Sequence, residues 1–184
     1  MLYGAPATRR RDAQRNRVAI LEAASEVLTR SEGFALMPEI ARRAGVGQAT
    51  LYRHFADRHA LLAGVIGHQL ERLETHAAHT DFRRLLRETL HSLITLRGLV
   101  SLARRLDPAM QERFLQRVVA AFAVPLRRAR ESGHVRADLV PEDLVLLFAM
   151  VQAVAETTRD VTAARAAADR SVDLVLEGVF RPAA

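Results

Sequence analysis

The feature that most constrains the fold is the spacing of the apolar residues, which recur every three or four positions along almost the whole chain. This spacing places apolar side chains on one face of an α-helix, whereas half-buried strands need an alternation that the sequence does not clearly show. Alanine, leucine and arginine abound, while the 184 residues include only 9 glycines and 6 prolines. The pattern predicts an all-α protein of about nine helices.

Capping residues set the predicted boundaries of these helices. Asp57 and Asp81 suit N-caps, Pro38 suits a first helical turn, and Gly45 and Gly133 suit left-handed helix ends. The predicted helices cover residues 12–31, 38–44, 47–55, 57–79, 81–97, 98–106, 107–132, with a possible kink at Pro125, 141–158 and 163–180. The two ends of the chain, residues 1–11 and 182–184, are expected to be disordered.

Composition excludes several classes of protein. The chain has no cysteine, so disulfides and thiolate metal sites are impossible. No run of about 18 apolar residues suggests a transmembrane helix, and the first residues lack the apolar core of a secretory signal. A cytoplasmic protein without membrane contact is expected.

Positive charge is concentrated in the first third of the chain. All 27 cationic side chains are arginines, and the formal net charge is +6. Residues 1–62 carry ten arginines against six acids. A solvated basic surface would explain this excess, but it also marks where a nucleic-acid contact is expected.

Residues 40–55 have the pattern of two short helices joined by a tight turn. Five apolar residues are placed to form a small core with the first helix: Ile40, Ala41, Val46, Leu51 and Phe55. Such a core would fix the angle between the helices, so that the third helix can project into a DNA major groove. The stretch therefore predicts a helix-turn-helix whose reading helix covers residues 47–55.

Side chains suited to DNA follow one another along this reading helix. The candidate base-reading residues are Gln48, Ala49 and Thr50, because glutamine can pair with adenine and alanine or threonine can contact a thymine methyl group. The candidate phosphate contacts are Tyr52, His54 and Arg58. Taken alone, His54 would be read as an ordinary surface histidine and Phe55 as core. Their joint occurrence at this spacing favours DNA binding.

Residues 15–66 resemble the DNA-binding domain of the TetR family of bacterial regulators. The matching residues are Gly45-Val46, Thr50-Leu51-Tyr52-Arg53-His54-Phe55, Asp57-Arg58 and Leu61-Leu62. The resemblance implies that residues 48–50 face bases and that Tyr52, His54 and Arg58 contact phosphates of double-stranded operator DNA. Arg53 belongs to the same set of DNA-binding residues. Arg58 stands where the family commonly has lysine.

The second helix departs from the family pattern at its start. The family usually has Ser or Thr there, to cap the helix and contact a phosphate, whereas this chain has Leu36-Met37-Pro38. The basic arm, Arg9 to Arg11, has two interpretations: a solubilising start, or a contact with an adjacent minor groove or phosphates.

The resemblance also implies two domains, an arm with helix-turn-helix over residues 1–56 and a ligand-binding and dimerisation domain over residues 57–184. Residues 126–143 are similar to C-terminal domains of an SbtR-like branch of the family. The apolar helices near 141–158 and 163–180 are expected to form a homodimer as a four-helix bundle, although burial within one chain would also explain them. The implied function is a transcriptional repressor that binds a palindromic operator and is released by a small apolar or amphipathic ligand.

A ligand cavity is expected among the fourth to eighth helices, with no cofactor besides the unknown effector. The candidate lining residues are Leu86, Leu90, Leu93, Met110, Phe114, Val118, Phe122, Phe148 and Val151, all of which could equally be core. His76 and His79 share a helical face but lack an obvious carboxylate partner, so no metal site is predicted.

Two other classes of function remain as alternatives. A helical metal-dependent enzyme would have to use the histidines, since no nucleophile elbow, phosphate loop or metal-ligand motif is present. A helical binding protein that has lost DNA recognition would explain the altered start of the second helix. A regulator without catalytic residues is preferred.

Overall fold

The computed structural model describes residues 6–30, 37–156 and 161–180. These residues form nine α-helices, which confirms the predicted all-α fold. The helices are α1 (Pro6–Arg30), α2 (Met37–Arg43), α3 (Gln48–His54), α4 (Arg58–Ala77), α5 (Phe82–Thr95), α6 (Arg97–Ala103), α7 (Pro108–Glu131), α8 (Asp143–Glu156) and α9 (Val161–Val179). None of the helices in these ranges is long and apolar enough to cross a membrane.

The first helix begins earlier than predicted. Residues 6–11 continue α1 for almost two turns, so the expectation that they are disordered was wrong. Pro6 stands at the first position, where its missing N–H has no helical partner to lose. The following alanine and arginines favour helix by propensity. They carry no apolar period, and this is why the pattern did not reveal them; residues 1–5 and 182–184 lie outside the described part.

Side-chain caps confirm several of the predicted helix starts. The carboxylates of Asp57, Asp81 and Asp107 each accept a hydrogen bond from a backbone N–H in the first turn of α4, α5 and α7. The eighth helix begins at Asp143, two residues later than predicted. The seventh continues through Pro125 as one helix.

The N-terminal core brings the first three helices against α4 and α6. Its buried side chains include Ile20 and Leu21 of α1, Leu51 of α3, and Leu61 and Leu62 of α4. Leu99, Leu102 and Leu106 complete the same cluster. The domain boundary at residue 56 therefore stays a prediction, because this core draws side chains from both sides of it.

The start of α2 contributes to this core as well. Met37 is only 2% exposed and packs in the N-terminal cluster. At the point where a capping hydroxyl was expected, the chain has instead a buried apolar anchor. Leu36 and the loop after Gly33 lie outside the described residues.

A second core holds the remaining helices together. It includes Phe82 and Leu86 of α5, Phe122 of α7, Phe148 of α8 and Leu176 of α9. The rings of Phe82 and Phe122 meet edge to face with centroids 6.2 Å apart. Because α4 contributes to both cores, it is the element that connects the two halves of the molecule.

Two glycines of α4 give a matched test of this packing. A Cβ at Gly64 would lie 2.6 Å from Cε1 of Phe55, while a Cβ at Gly67 would meet nothing within 4 Å. We expect G64A to lower the free energy of unfolding by about 1–3 kcal/mol through overpacking. G67A should raise it by about 0.5–1 kcal/mol through the loss of glycine flexibility. Urea unfolding followed by circular dichroism measures both, and equal stabilisation by the two variants would contradict this packing.

Candidate nucleic-acid interface and ligand cleft

The turn between α2 and α3 is fixed by backbone hydrogen bonds. Gly45 adopts a left-handed conformation, with φ of 66°. The Val46 N–H donates to the Ala41 carbonyl at 3.0 Å, and the Gly45 N–H donates to the Arg42 carbonyl at 3.2 Å. This pair of bonds is a Schellman motif, which ends α2 and turns the chain sharply into α3.

The orientation of α3 depends on two buried side chains. Leu51 is fully buried, and Phe55, which follows the helix, is 3% exposed. The guanidinium of Arg17 lies 4.6 Å from the centroid of the Phe55 ring, and the close approach of α4 at Gly64 confines the ring's other side. The recognition helix is therefore held by α1 and α4 together.

The predicted base-reading residues lie at the free end of this helix. Gln48 and Ala49 are exposed, and Thr50 is half-buried. Thr50 Oγ1 accepts a hydrogen bond from Nη2 of Arg53 at 2.8 Å. Gly47 caps the helix without a side chain, and no neighbour lies within 4 Å of a Cβ placed there. The surface is thus open to a close approach by another molecule.

The predicted phosphate contacts surround this end. Tyr52 is 48% exposed, which is unusual for an aromatic residue with no partner to cover it. Arg58 is exposed at the first position of α4, while His54 is half-buried. Their roles toward DNA stay predictions, but the fold places polar groups of all three types next to the base-reading residues in the chain.

A group of charged residues on α2 was missed by the sequence reasoning. Glu39 accepts hydrogen bonds from Nε and Nη2 of Arg42, at 2.9 and 2.8 Å, and from Nε of Arg43 at 2.7 Å. The two guanidinium groups lower the pKa of Glu39 to about 2. The spacing of three and four residues was a readable signal for this cluster. Two arginines of the basic third are thus partly neutralised.

We expect E39Q to strengthen binding to random-sequence duplex DNA. The substitution removes a negative charge beside two arginines, so more positive charge is available for phosphates and affinity falls more steeply with salt, by up to about 0.9 in the log-log slope for each phosphate gained. Fluorescence anisotropy over a salt series measures it. D138N, which removes a carboxylate held by Arg136 in the C-terminal half, is the control and should leave the slope unchanged.

A large cleft opens in the C-terminal half, between α4, α5, α6, α7 and α8. Its volume is about 1220 Å³. Four of the candidate lining residues border it: Leu93, Phe114, Val118 and Phe148. Other apolar lining includes Leu73, Leu115 and Val145. The cleft is thus in the region expected from the sequence.

Five other candidates do not border this cleft and are corrected here. Leu86, Leu90, Phe122 and Val151 are fully buried inside the second core. Met110 packs against the N-terminal core instead. Helical spacing identified these residues as inward-facing, but the space they face is already filled by side chains.

Polar side chains of α4 and α5 border the same cleft, and the sequence analysis had not assigned them to it. His76 Nε2 donates to Glu88 Oε2 at 2.5 Å, so it has the carboxylate partner that the sequence did not reveal. Arg84 and then His76 lower the pKa of Glu88 through hydrogen bonds. Near the cleft, Glu74 receives two hydrogen bonds of 2.8 Å from Arg117, which lower its pKa as well. Within the described ranges, no three metal-binding side chains are grouped around a common point.

Comparison with known protein families identifies the class of protein. Residues 20–65 match the family of bacterial regulatory proteins named tetR, and residues 77–181 match the C-terminal domain of SbtR-like transcriptional regulators. The chain belongs to the TetR family of transcriptional regulators. A search among curated protein sequences found no match.

Solved structures agree with this assignment. A TetR transcriptional regulator from Streptomyces coelicolor is 27% identical with a TM-score of 0.72, over 91% of this chain and 99% of that one. A TetR regulator from Mycobacterium vanbaalenii is also 27% identical, with a TM-score of 0.69, over 94% of this chain and 99% of that one. The fold is shared with SmeT, the repressor of a Stenotrophomonas maltophilia efflux pump, at 20% identity and a TM-score of 0.60, over 90% of each chain.

Proposed function

We propose that this regulator is a repressor that binds a palindromic operator as a homodimer and is released by a small molecule. The observation that carries the proposal is the exposed end of α3, where Gln48 and Ala49 project from a helix locked by Leu51 and Phe55. A rigid helix with exposed polar and small side chains at its N-terminal end is the arrangement that reads a major groove. Release by a ligand follows the mode of regulation expected for the family.

The dimer is supported by apolar side chains that one chain leaves uncovered. On α8, Leu146 is 62% exposed and Met150 is 59% exposed, one helical turn apart. Leu174 of α9, the helix packed against α8, is 53% exposed. A second copy of the chain would cover this face and form a four-helix bundle across a two-fold axis. Dimerisation would also set two reading helices at half-sites about 34–36 Å apart or a multiple of that spacing.

One hydrogen bond links the cleft to the helix-turn-helix. Gln69 borders the cleft, and its Nε2 donates to Oγ of Ser25 on α1 at 2.9 Å. A ligand that moves α4 would therefore act on α1 and on the helices packed against it. A coupling free energy of about 3 kcal/mol between ligand and operator would change affinity more than 100-fold.

The deciding experiment is the selection of bound sequences from a pool of random duplexes by the full-length protein. We expect an enriched palindrome, whose half-sites would give both the sequence read and the spacing of the two heads. Enrichment of a single asymmetric site would overturn the symmetric dimer. A pool that stays random at low salt would overturn specific DNA reading altogether.

A further inference from the structure

The hydroxyl and imidazole groups that border the cleft have mostly used their protons elsewhere. Thr75 Oγ1 and Ser92 Oγ each donate to the backbone carbonyl four residues earlier, both at 2.8 Å. His79 Nδ1 lies 3.1 Å from another such carbonyl, which can only accept, so Nδ1 carries the proton. In the neutral ring Nε2 is then an acceptor. All three side chains therefore offer acceptors to a molecule in the cleft.

The amide side chains repeat this pattern. Gln69 uses Nε2 on Ser25, and Gln111 uses Nε2 on two backbone carbonyls that follow α6, at 3.2 and 2.7 Å. Each has an amide oxygen that can accept. Gln152 is the exception, since its oxygen accepts from Arg104 and its amide protons can donate. Acceptors outnumber donors among the uncharged groups whose bonding is defined.

The charged groups of the lining nearly balance. Two arginines, Arg72 and Arg104, and three glutamates, Glu71, Glu88 and Glu112, border the cleft. Glu88 is held by Arg84 and His76, and Arg104 lies 3.5 Å from Glu156. A charged ligand would therefore meet groups that already have partners, and moving it from water would be costly without a new opposite charge.

We infer that the cleft takes an uncharged amphipathic molecule whose polar groups are hydrogen-bond donors, such as hydroxyls. Its apolar part would lie against Phe114, Leu115 and Phe148, and its donors would meet the acceptors of α4 and α5. A volume of about 1220 Å³ accommodates a large or elongated ligand. This inference rests on the proposed function only in treating the cleft as the effector site.

Four probes with the same decyl chain separate the possible head groups. Decyl glucoside is neutral and donates, decyldimethylphosphine oxide is neutral and only accepts, decanoate is anionic, and decyltrimethylammonium is cationic. Titration calorimetry on the full-length protein, below micelle-forming concentrations, should give decyl glucoside an affinity about tenfold above each of the others. Equal or tighter binding of any of the other three would overturn the inference.

Two pairs of variants locate the binding and its cause. The chain has no tryptophan, so L115W and Q116W provide single reporters, one bordering the cleft and one on the exposed surface beside it. Decyl glucoside should shift the emission of L115W and leave that of Q116W unchanged. T75V should weaken decyl glucoside about threefold to tenfold. T95V removes a hydroxyl with the same backbone bond outside the cleft and should have no effect.

The outcomes separate this inference from the proposed function. If T95V weakens decyl glucoside as much as T75V does, or if Q116W responds as L115W does, the inference is wrong whatever the protein does with DNA. If decyl glucoside shows the expected preference yet leaves operator affinity unchanged, the ligand class stands and release by such ligands is contradicted.

Discussion

The double variant L146E/M150E should be a monomer whose operator affinity is lower by a factor of about 100 or more. Each protomer would place two carboxylates in a face that is apolar and expected to be covered, where an unpaired charge costs several kcal/mol. A monomer also loses the local concentration that couples its two reading heads, which accounts for about 10²–10⁴ in affinity. Analytical ultracentrifugation and anisotropy on the selected operator measure the two effects.

V124E is the matched control for this variant. Val124 is an exposed apolar residue, at 41%, but it belongs to α7 and lies outside the α8–α9 face. Its substitution by glutamate should preserve both the dimer and the operator affinity. The proposed interface is wrong if L146E/M150E remains a dimer while its circular dichroism spectrum is unchanged.

The sequence predicted those elements whose signals are local. Caps such as Asp57 and Asp81 and the glycine at position 45 act through neighbouring backbone groups, so their effect can be read from a few residues. The core of the helix-turn-helix was equally readable, because Ile40, Leu51 and Phe55 have helical spacing and the structure buries all three. Helix ends without such signals, like the start of α1, were placed less well.

The cleft shows what spacing cannot reveal. Phe122 and Phe148 occupy equivalent apolar positions on their helices, yet only Phe148 borders the cleft. Periodicity shows that a side chain faces inward, but whether it meets another side chain or an empty space depends on how the helices cross. The hydrogen bond from His76 to Glu88 joins two helices, so it too depends on tertiary packing.

The double variant Y52A/R58A should lose operator affinity by about 10-fold to 100-fold, and by a similar factor on unrelated duplexes. Phosphate contacts position the protein without carrying sequence information, so their loss weakens all sequences alike. Each arginine that binds a phosphate contributes about 0.9 to the salt slope, so a dimer should lose roughly 2 from that slope. Anisotropy titrations with the selected operator and a scrambled duplex give both quantities.

Q48A and R113A complete this test. Gln48 is exposed at the reading end of α3, so Q48A should weaken the operator by about 1–3 kcal/mol per half-site and relax the preference at one base pair, while leaving the scrambled duplex unaffected. Arg113 is exposed on α7, away from the helix-turn-helix, and R113A should leave affinity and slope unchanged. If Y52A/R58A behaves like R113A while its melting temperature is preserved, these two residues do not contact phosphate, and DNA binding must depend on another surface. A uniform loss with Y52A/R58A and a site-specific loss with Q48A would instead separate anchoring from reading within one short segment of the chain.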